Sequence, residues 1–287
     1  MNDTNIAELV KGVGDLVSLP DVFIRINRLV ESPDSTSDDI AKAVSQDPSF
    51  TVRLLRVANS PFYGFSSTVE TVSRAVTLIG TSQIRNLALS TSVSRTFAGL
   101  PNELVSMDNF WHHSLYCALT ARILARKVSK RSDPEAVFTA GLLHDIGELV
   151  IFNRLPAQAK EALLLVLDSG DELPVYEAER QTMGFDHAQV GGELARQWHL
   201  PPLLVDCIAF HHDIQQAQNC PRETAIVHIA NILALMAEVD TLDPDDVSPI
   251  DPLAWEITGL DAEDIVEPTI REAQEEIAEA KKLFLGN

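Results

Sequence analysis

From Pro20 to Phe284 apolar residues recur at helical spacing, and no segment alternates them as a strand does. That periodicity restricts the chain to helices packed on helices. In Pro20 to Glu31, Val22, Ile26, Leu29 and Val30 share one face. Ser37 is placed to cap the next helix, with Asp38 and Asp39 in its positive first turn. Asp47-Pro48 reads as a cap followed by the first helical residue, and that helix is expected to turn Val52, Leu55 and Ala58 inward before Asn59-Ser60-Pro61 stops it. Val69 to Ile79, closed by Gly80, and a longer helix from Thr81 toward Phe97 complete a helical first hundred residues.

A break is expected at 98–109, around Gly99, Pro101 and Asn102. Helices then run from about Phe110 to Val128, from Asp133-Pro134 through His144-Asp145, and from Pro201-Pro202 to about His211-His212. Asp186 and Gln189 form a capping-box-like pair that places His187 in a first turn. Ala225 to Ala237 is helical by pattern. Glu238 to Glu267 reads as a loop-rich acidic stretch anchored by Leu253, Trp255 and Ile257. A last helix aligns Ile270, Ala273, Ile277 and Phe284. The expected division is therefore 1–100, 101–237 and 238–287.

The net charge of −20 argues against general binding to nucleic acid or to an anionic membrane. More than half of it, −12, falls between Glu238 and Asn287, where a solvated surface is the simplest reading. A single basic cluster, Arg122, Arg126, Lys127, Lys130 and Arg131, reads as a solvated helix face. No apolar run is long enough to span a bilayer and the N-terminus has no signal pattern, so the expected location is cytoplasmic. Three cysteines, Cys117, Cys207 and Cys220, make no disulfide framework.

All eight histidines lie between 112 and 228, and an ordered series stands out: His113, His144-Asp145, His187 and His211-His212. Histidine is the commonest transition-metal ligand and a carboxylate can bridge two ions. If 144 and 145 lie on one helix, they project about 100° apart and can straddle a cavity. His187 and His113 would add ligands from two further helices, as in metal sites inside helical bundles. His199 and His228 read as structural or surface residues. Asn59 and Ser60 read as helix terminators, and Phe62, Tyr63 and Phe65 as core or lobe-junction aromatics. Asp38 to Asn59 has the outline of a helix-turn-helix, but only Arg53 and Arg56 could meet phosphate.

GLLHDIG at 141–147, FWHHS at 110–114, FDHAQVGGELA at 185–195 and FHHD at 210–213 resemble the HD superfamily of metal-dependent phosphohydrolases. LPDVFIRINRL, SQDPSFTVRLLRVANSPFYG, AVTLIGTSQIRNLALS and WHLPPLLVDCIAFHH narrow the resemblance to HDOD, the HD-related output domain of bacterial signalling proteins, over roughly 16–235. The resemblance implies an all-α, two-lobed helical fold, with an N-terminal lobe over 1–100 and an HD-like lobe over 101–237; the acidic tail at 238–287 lies outside it. It implies ligand positions at His113, His144, Asp145, His187, His211 and His212. One ion would use Asp145, His187, His211 and His212. The other would use His113, His144, Asp145 and a closing aspartate, where this chain has Asn231. An amide is a poorer ligand than a carboxylate, so the second site is expected to be degenerate. Glu148 stands where the HD-GYP phosphodiesterases carry the lysine of HDxGK, and the GYP element is absent. Glu148 matches the glutamate of HDxxED in guanosine-tetraphosphate hydrolases, but Leu149 does not match its aspartate.

Two functions follow as expectations. One is a stand-alone HDOD signalling module with a protein partner and a partly degenerate metal site. The other is a metal-dependent phosphohydrolase acting on a nucleotide or phosphomonoester, with Asp145 as the catalytic residue that orients water. The cofactor is one or two divalent transition-metal ions, with iron, manganese, zinc and nickel all open. Neither nucleic acid nor membrane is expected as a partner, and a homo-oligomer stays open.

Overall fold

The computed structural model describes residues 5–14, 19–97, 104–128, 132–170 and 173–284. Gly99, Pro101 and Asn102 of the expected break, and Lys130 and Arg131 of the basic cluster, lie outside them. The described residues are helical with no strand. In chain order the helices are α1 (Ile6–Gly14), α2 (Asp21–Glu31), α3 (Ser37–Ser45), α4 (Pro48–Ala58), α5 (Val72–Ile79), α6 (Thr81–Phe97), α7 (Met107–Lys127), α8 (Pro134–Leu143), α9 (Ile146–Arg154), α10 (Pro156–Asp168), α11 (Val175–Met183), α12 (His187–Gln197), α13 (Pro202–Phe210), α14 (Pro221–Glu238), α15 (Pro252–Thr258) and α16 (Ala262–Phe284). They form two compact units. One comprises Met1–Val17 and Leu100–Ile277, the other Ser18–Gly99 and Ala278–Asn287.

The smaller unit holds α2 to α6 and the end of α16. Its core includes Phe23, Ile26, Ile40, Val44, Leu54 and Ile84. Thr36, not Ser37, caps α3, because only Thr36 has an acid three residues on: its hydroxyl accepts from the Asp39 amide and the Asp39 carboxylate accepts in return. Helix α4 is rotated from the expected phase. Phe50, Leu54, Val57 and Ala58 face inward, and Val52 is 59% exposed. Asn59 fastens the following loop by accepting from the Val69 amide at 2.7 Å and donating to the Val69 carbonyl at 2.9 Å. Phe62, Tyr63 and Phe65 are half-buried in a ring cluster, with Phe62 edge-on to Phe284.

The larger unit is built on α7, which is buried almost continuously from Phe110 to Ala125. A helix apolar on all sides must be central, and α8 and α14 pack along it. The acidic C-terminal segment is also more ordered by helix than its composition suggested: α15 occupies 252–258 and α16 starts at Ala262. Tyr116 donates to the Ile270 carbonyl at 2.8 Å, Arg122 pairs with Glu276, and Lys127 Nζ donates to Thr269 at 3.4 Å. Arg122 is 1% exposed. Part of the expected solvated basic face is therefore an internal contact holding the acidic helix.

Two glycines set the distances between the helices that carry the histidines. A Cβ on Gly141 of α8 would lie 2.9 Å from Ala118 Cα of α7, and one on Gly147 of α9 would lie 1.9 Å from the His187 carbonyl oxygen of α12. Only a residue without a side chain permits these approaches.

Candidate metal centre

The ligand-type residues sit at helix ends. Helix α8 stops at Leu143 and α9 starts at Ile146, so His144 and Asp145 occupy the break between them. One continuous helix through 144–145 is not formed: Asp145 takes φ −94, ψ 13 at the N-cap position of the next helix and leaves its side chain free of any capping bond. His211 and His212 likewise follow the last residue of α13. His187 opens α12, whose capping box is complete. The Asp186 carboxylate accepts from the Gln189 amide at 2.8 Å, and the Gln189 side chain accepts from the Asp186 amide at 3.1 Å. Arg180 holds the other Asp186 oxygen at 2.6 Å. His113 lies inside α7.

Asp145 is the point of convergence. Its Oδ2 lies 2.9 Å from His144 Nε2 and 3.5 Å from His113 Nε2, and its Oδ1 lies 3.3 Å from His187 Nε2 and 3.4 Å from His211 Nε2. His212 Nε2 stands 3.0 Å from His187 Nε2. The candidate ligand atoms of Asp145, His187, His211 and His212 fall within 4.8 Å of one another, as do those of His113, His144 and Asp145. Asn231 Oδ1 is 3.0 Å from His113 Nε2, at the edge of the second group.

The far nitrogens fix which atom of each ring points inward. His144 Nδ1 donates to the Gly141 carbonyl at 2.7 Å and His211 Nδ1 to the Ile208 carbonyl at 2.9 Å. His187 Nδ1 faces Glu179 at 2.7 Å, and His113 Nδ1 faces Glu238 at 3.1 Å. Carbonyls and carboxylates only accept, so each Nδ1 carries hydrogen and each Nε2 is left for a proton or a metal. The Nε2 atoms of His144 and His211 are buried without a hydrogen bond. Buried Nε2 atoms of several imidazoles converging on one carboxylate fit a divalent transition metal.

The electrostatics agree with that donor set. Burial opposes charge on His144 and His187. The Asp145 carboxylate outweighs it at His144, and Glu179 together with Asp145 outweighs it at His187, so both imidazoles rise well above their ordinary value. Burial pulls His211 down to about 4. It also lowers His212 well below the ordinary value, helped by His211 and His187. Asp145 is held well below the carboxylate range by His144, against its burial. Burial, then Asp145, pushes Glu148 up to about 8. Burial thus favours the protonated form of Glu148.

The structure brings together every residue singled out as a ligand, with Asn231 at the edge. His112 lies beside them in α7, its ring 6.3 Å from Tyr116. His199 stands apart in a left-handed turn at φ 52. Four residues of the site were not anticipated: Glu179, Glu238, Tyr176 and His228. Glu179 also accepts from the His187 amide at 2.8 Å, and Tyr176 stacks on His212 at 4.1 Å. Nothing local distinguishes these acids and this tyrosine from any others on helices.

The HDOD domain family matches residues 16–214. An uncharacterized protein of Treponema pallidum (strain Nichols) is 27% identical over 211 residues, which are 74% of this chain and 40% of that protein. The chain thus spans well under half the length of this relative. The crystal structure of an HDOD domain protein of unknown function from Geobacter sulfurreducens is 26% identical, with a TM-score of 0.74 and coverage of 97% of this chain and 98% of that one. That of a candidate phosphohydrolase from Shewanella amazonensis SB2B is also 26% identical, with a TM-score of 0.73 and coverage of 96% and 97%. A candidate signal transduction protein from Marinobacter aquaeolei VT8, at 21% identity and a TM-score of 0.72, shares the fold over 98% of this chain and 67% of its own.

Proposed function

This chain belongs to the HDOD family, and from that premise we propose a signalling module that holds one divalent transition metal on Asp145, His187, His211 and His212. The observation that carries the reading is Asn231. Its amide faces His113 Nε2 at 3.0 Å, where the family resemblance implies a carboxylate, while Glu238 takes the other ring nitrogen. Glu238 and Asn231 flank His113 at its two ring nitrogens, and the neutral amide leaves the second half-site without its closing charge. The output is a protein contact. A net charge of −20 disfavours nucleic acid, and among the described residues no helix is long and apolar enough to cross a membrane.

When bound, the metal supplies Lewis acidity that can polarise a phosphoester or activate water. The second reading, a phosphohydrolase of nucleotides or phosphomonoesters, draws support from the retained ligand set and from the Shewanella relative. The test is metal analysis of the purified protein with a phosphoester panel. One metal per chain and no turnover are expected. Turnover that disappears in Asp145→Ala would overturn the module reading in favour of the enzyme.

Asn231→Asp restores a closing carboxylate beside His113, His144 and Asp145. Metal content is expected to rise from one ion per chain toward two, and unchanged content would count against the assignment of that half-site.

Protons and metal compete for the same Nε2 atoms. His187 is held above its ordinary value in the metal-free protein, so metal entry displaces its proton. Affinity is expected to climb about tenfold per pH unit for each proton displaced, between pH 6.5 and 7.5. Competition titrations at the two pH values check the slope, and a flat profile would contradict the proton assignment.

A further inference from the structure

His228 of α14 is bonded at both ring nitrogens. Nε2 lies 3.0 Å from the Asp251 amide, and Nδ1 lies 2.8 Å from the His211 carbonyl. A backbone N–H only donates, so Nε2 accepts and His228 is the neutral tautomer with hydrogen on Nδ1. That hydrogen is donated to the carbonyl of a candidate ligand, at the end of α13 where helical carbonyls lack partners within the helix. The ring is buried. The turn that follows is pinned a second time: Asp206 accepts from the amides of Asn219 and Cys220 at 2.8 and 3.0 Å. His228 thus holds the His211 carbonyl from α14, while Asp206 ties the far end of the same connection, at the start of α14, back to α13. Asp251 begins α15, accepting from the Leu253 amide at 2.9 Å.

We propose that His228 is a positioning residue for the metal centre, joining the turn at Asp251 to the carbonyl of His211 through its two ring nitrogens. The inference rests on the single-metal reading above. The Asp251 amide fixes the tautomer of the ring, and the Nδ1 hydrogen so placed holds the turn that carries two ligands. A residue that orients a ligand in this way influences affinity by about 10- to 100-fold.

The two halves of the link can be separated. In His228→Asn the amide nitrogen takes the place of Nδ1 and keeps the bond to His211. In His228→Gln the amide oxygen takes the place of Nε2 and keeps the bond to Asp251, while the donor to His211 is lost. Cobalt(II) titrations followed by the visible ligand-field spectrum are made on wild type and both variants, with circular dichroism to confirm folding. His228→Asn is expected to bind within about threefold of wild type, and His228→Gln about 10- to 100-fold more weakly with an altered spectrum. Hydrogen exchange of the metal-free proteins reports the same contrast without any ion: residues 211–216 exchange faster in His228→Gln than in His228→Asn. Wild-type affinity and exchange in His228→Gln would overturn the proposal alone. A wild type that takes up no cobalt would overturn the metal-centre reading and this inference with it.

Discussion

Asp145→Ala is expected to remove metal binding, with affinity falling by more than about a hundredfold, beyond the range for residues that merely orient ligands. Asp145 is the shared member of both ligand groups and the carboxylate nearest four imidazoles. Without it the site has only neutral donors for a dication. Metal analysis after dialysis, with isothermal titration of added zinc or manganese, measures the effect. Retention of wild-type stoichiometry would refute the assignment. Stability of the metal-free variant carries a second signature. His144 and His187 have raised values because of their carboxylates, so the stabilisation they supply is present below the ordinary histidine value and fades as pH rises through the folded value. Asp145→Ala is therefore expected to lose more stability below the ordinary histidine value than at a pH high enough for these rings to have lost their protons.

Gly147→Ala is the second large effect, and it acts through packing. The added methyl would meet the His187 carbonyl at 1.9 Å and the Gly191 amide nitrogen at 2.6 Å. Both are backbone atoms, which no rotamer change can move, so α9 and α12 must separate. Overpacking of this kind destabilises by about 1–3 kcal/mol, and the absence of a mobile neighbour puts this site at or above the upper end. Asp145 stands two residues before Gly147 and His187 is the residue struck, so metal affinity falls together with the midpoint of chemical unfolding. Denaturant titration and metal binding on the same sample check the pair of effects. A fall in one without the other would show that the close approach does not set the ligand distance.

The helices and the ligand set were legible because their signals are local. Caps such as Asp47-Pro48 and Asp186–Gln189 satisfy backbone groups within one turn, and adjacent histidines confined to one stretch announce convergence. Phase was harder. Helix α4 is apolar at Phe50, Val52, Leu54, Leu55, Val57 and Ala58, more than one face can use, so the sequence admits two stripes and packing chooses between them. Asn231 was found only through resemblance, because an asparagine in an apolar helix has no spacing that marks it as a ligand position. Glu179, Glu238 and His228 were missed because each reaches its histidine from a separate helix. What makes Glu179 functional is a 2.7 Å contact to a ring eight residues away, and the same residue on another face would read identically. The break between α8 and α9 was also hidden, since His144 keeps helical angles and only Asp145 departs from them.

The Arg122–Glu276 pair has a bearing on where this protein can be cut and rejoined. The family match ends at residue 214, yet a charged guanidinium in the interior of α7 takes its counter-ion from a helix more than sixty positions beyond that boundary. A chimera spliced at the end of the match would leave that buried cation with Glu135 alone, 3.9 Å away, in place of its nearer partner, and is expected to be destabilised. The transplantable segment is thus longer than the recognisable one, and its last indispensable stretch is the acidic helix that looks most dispensable on paper.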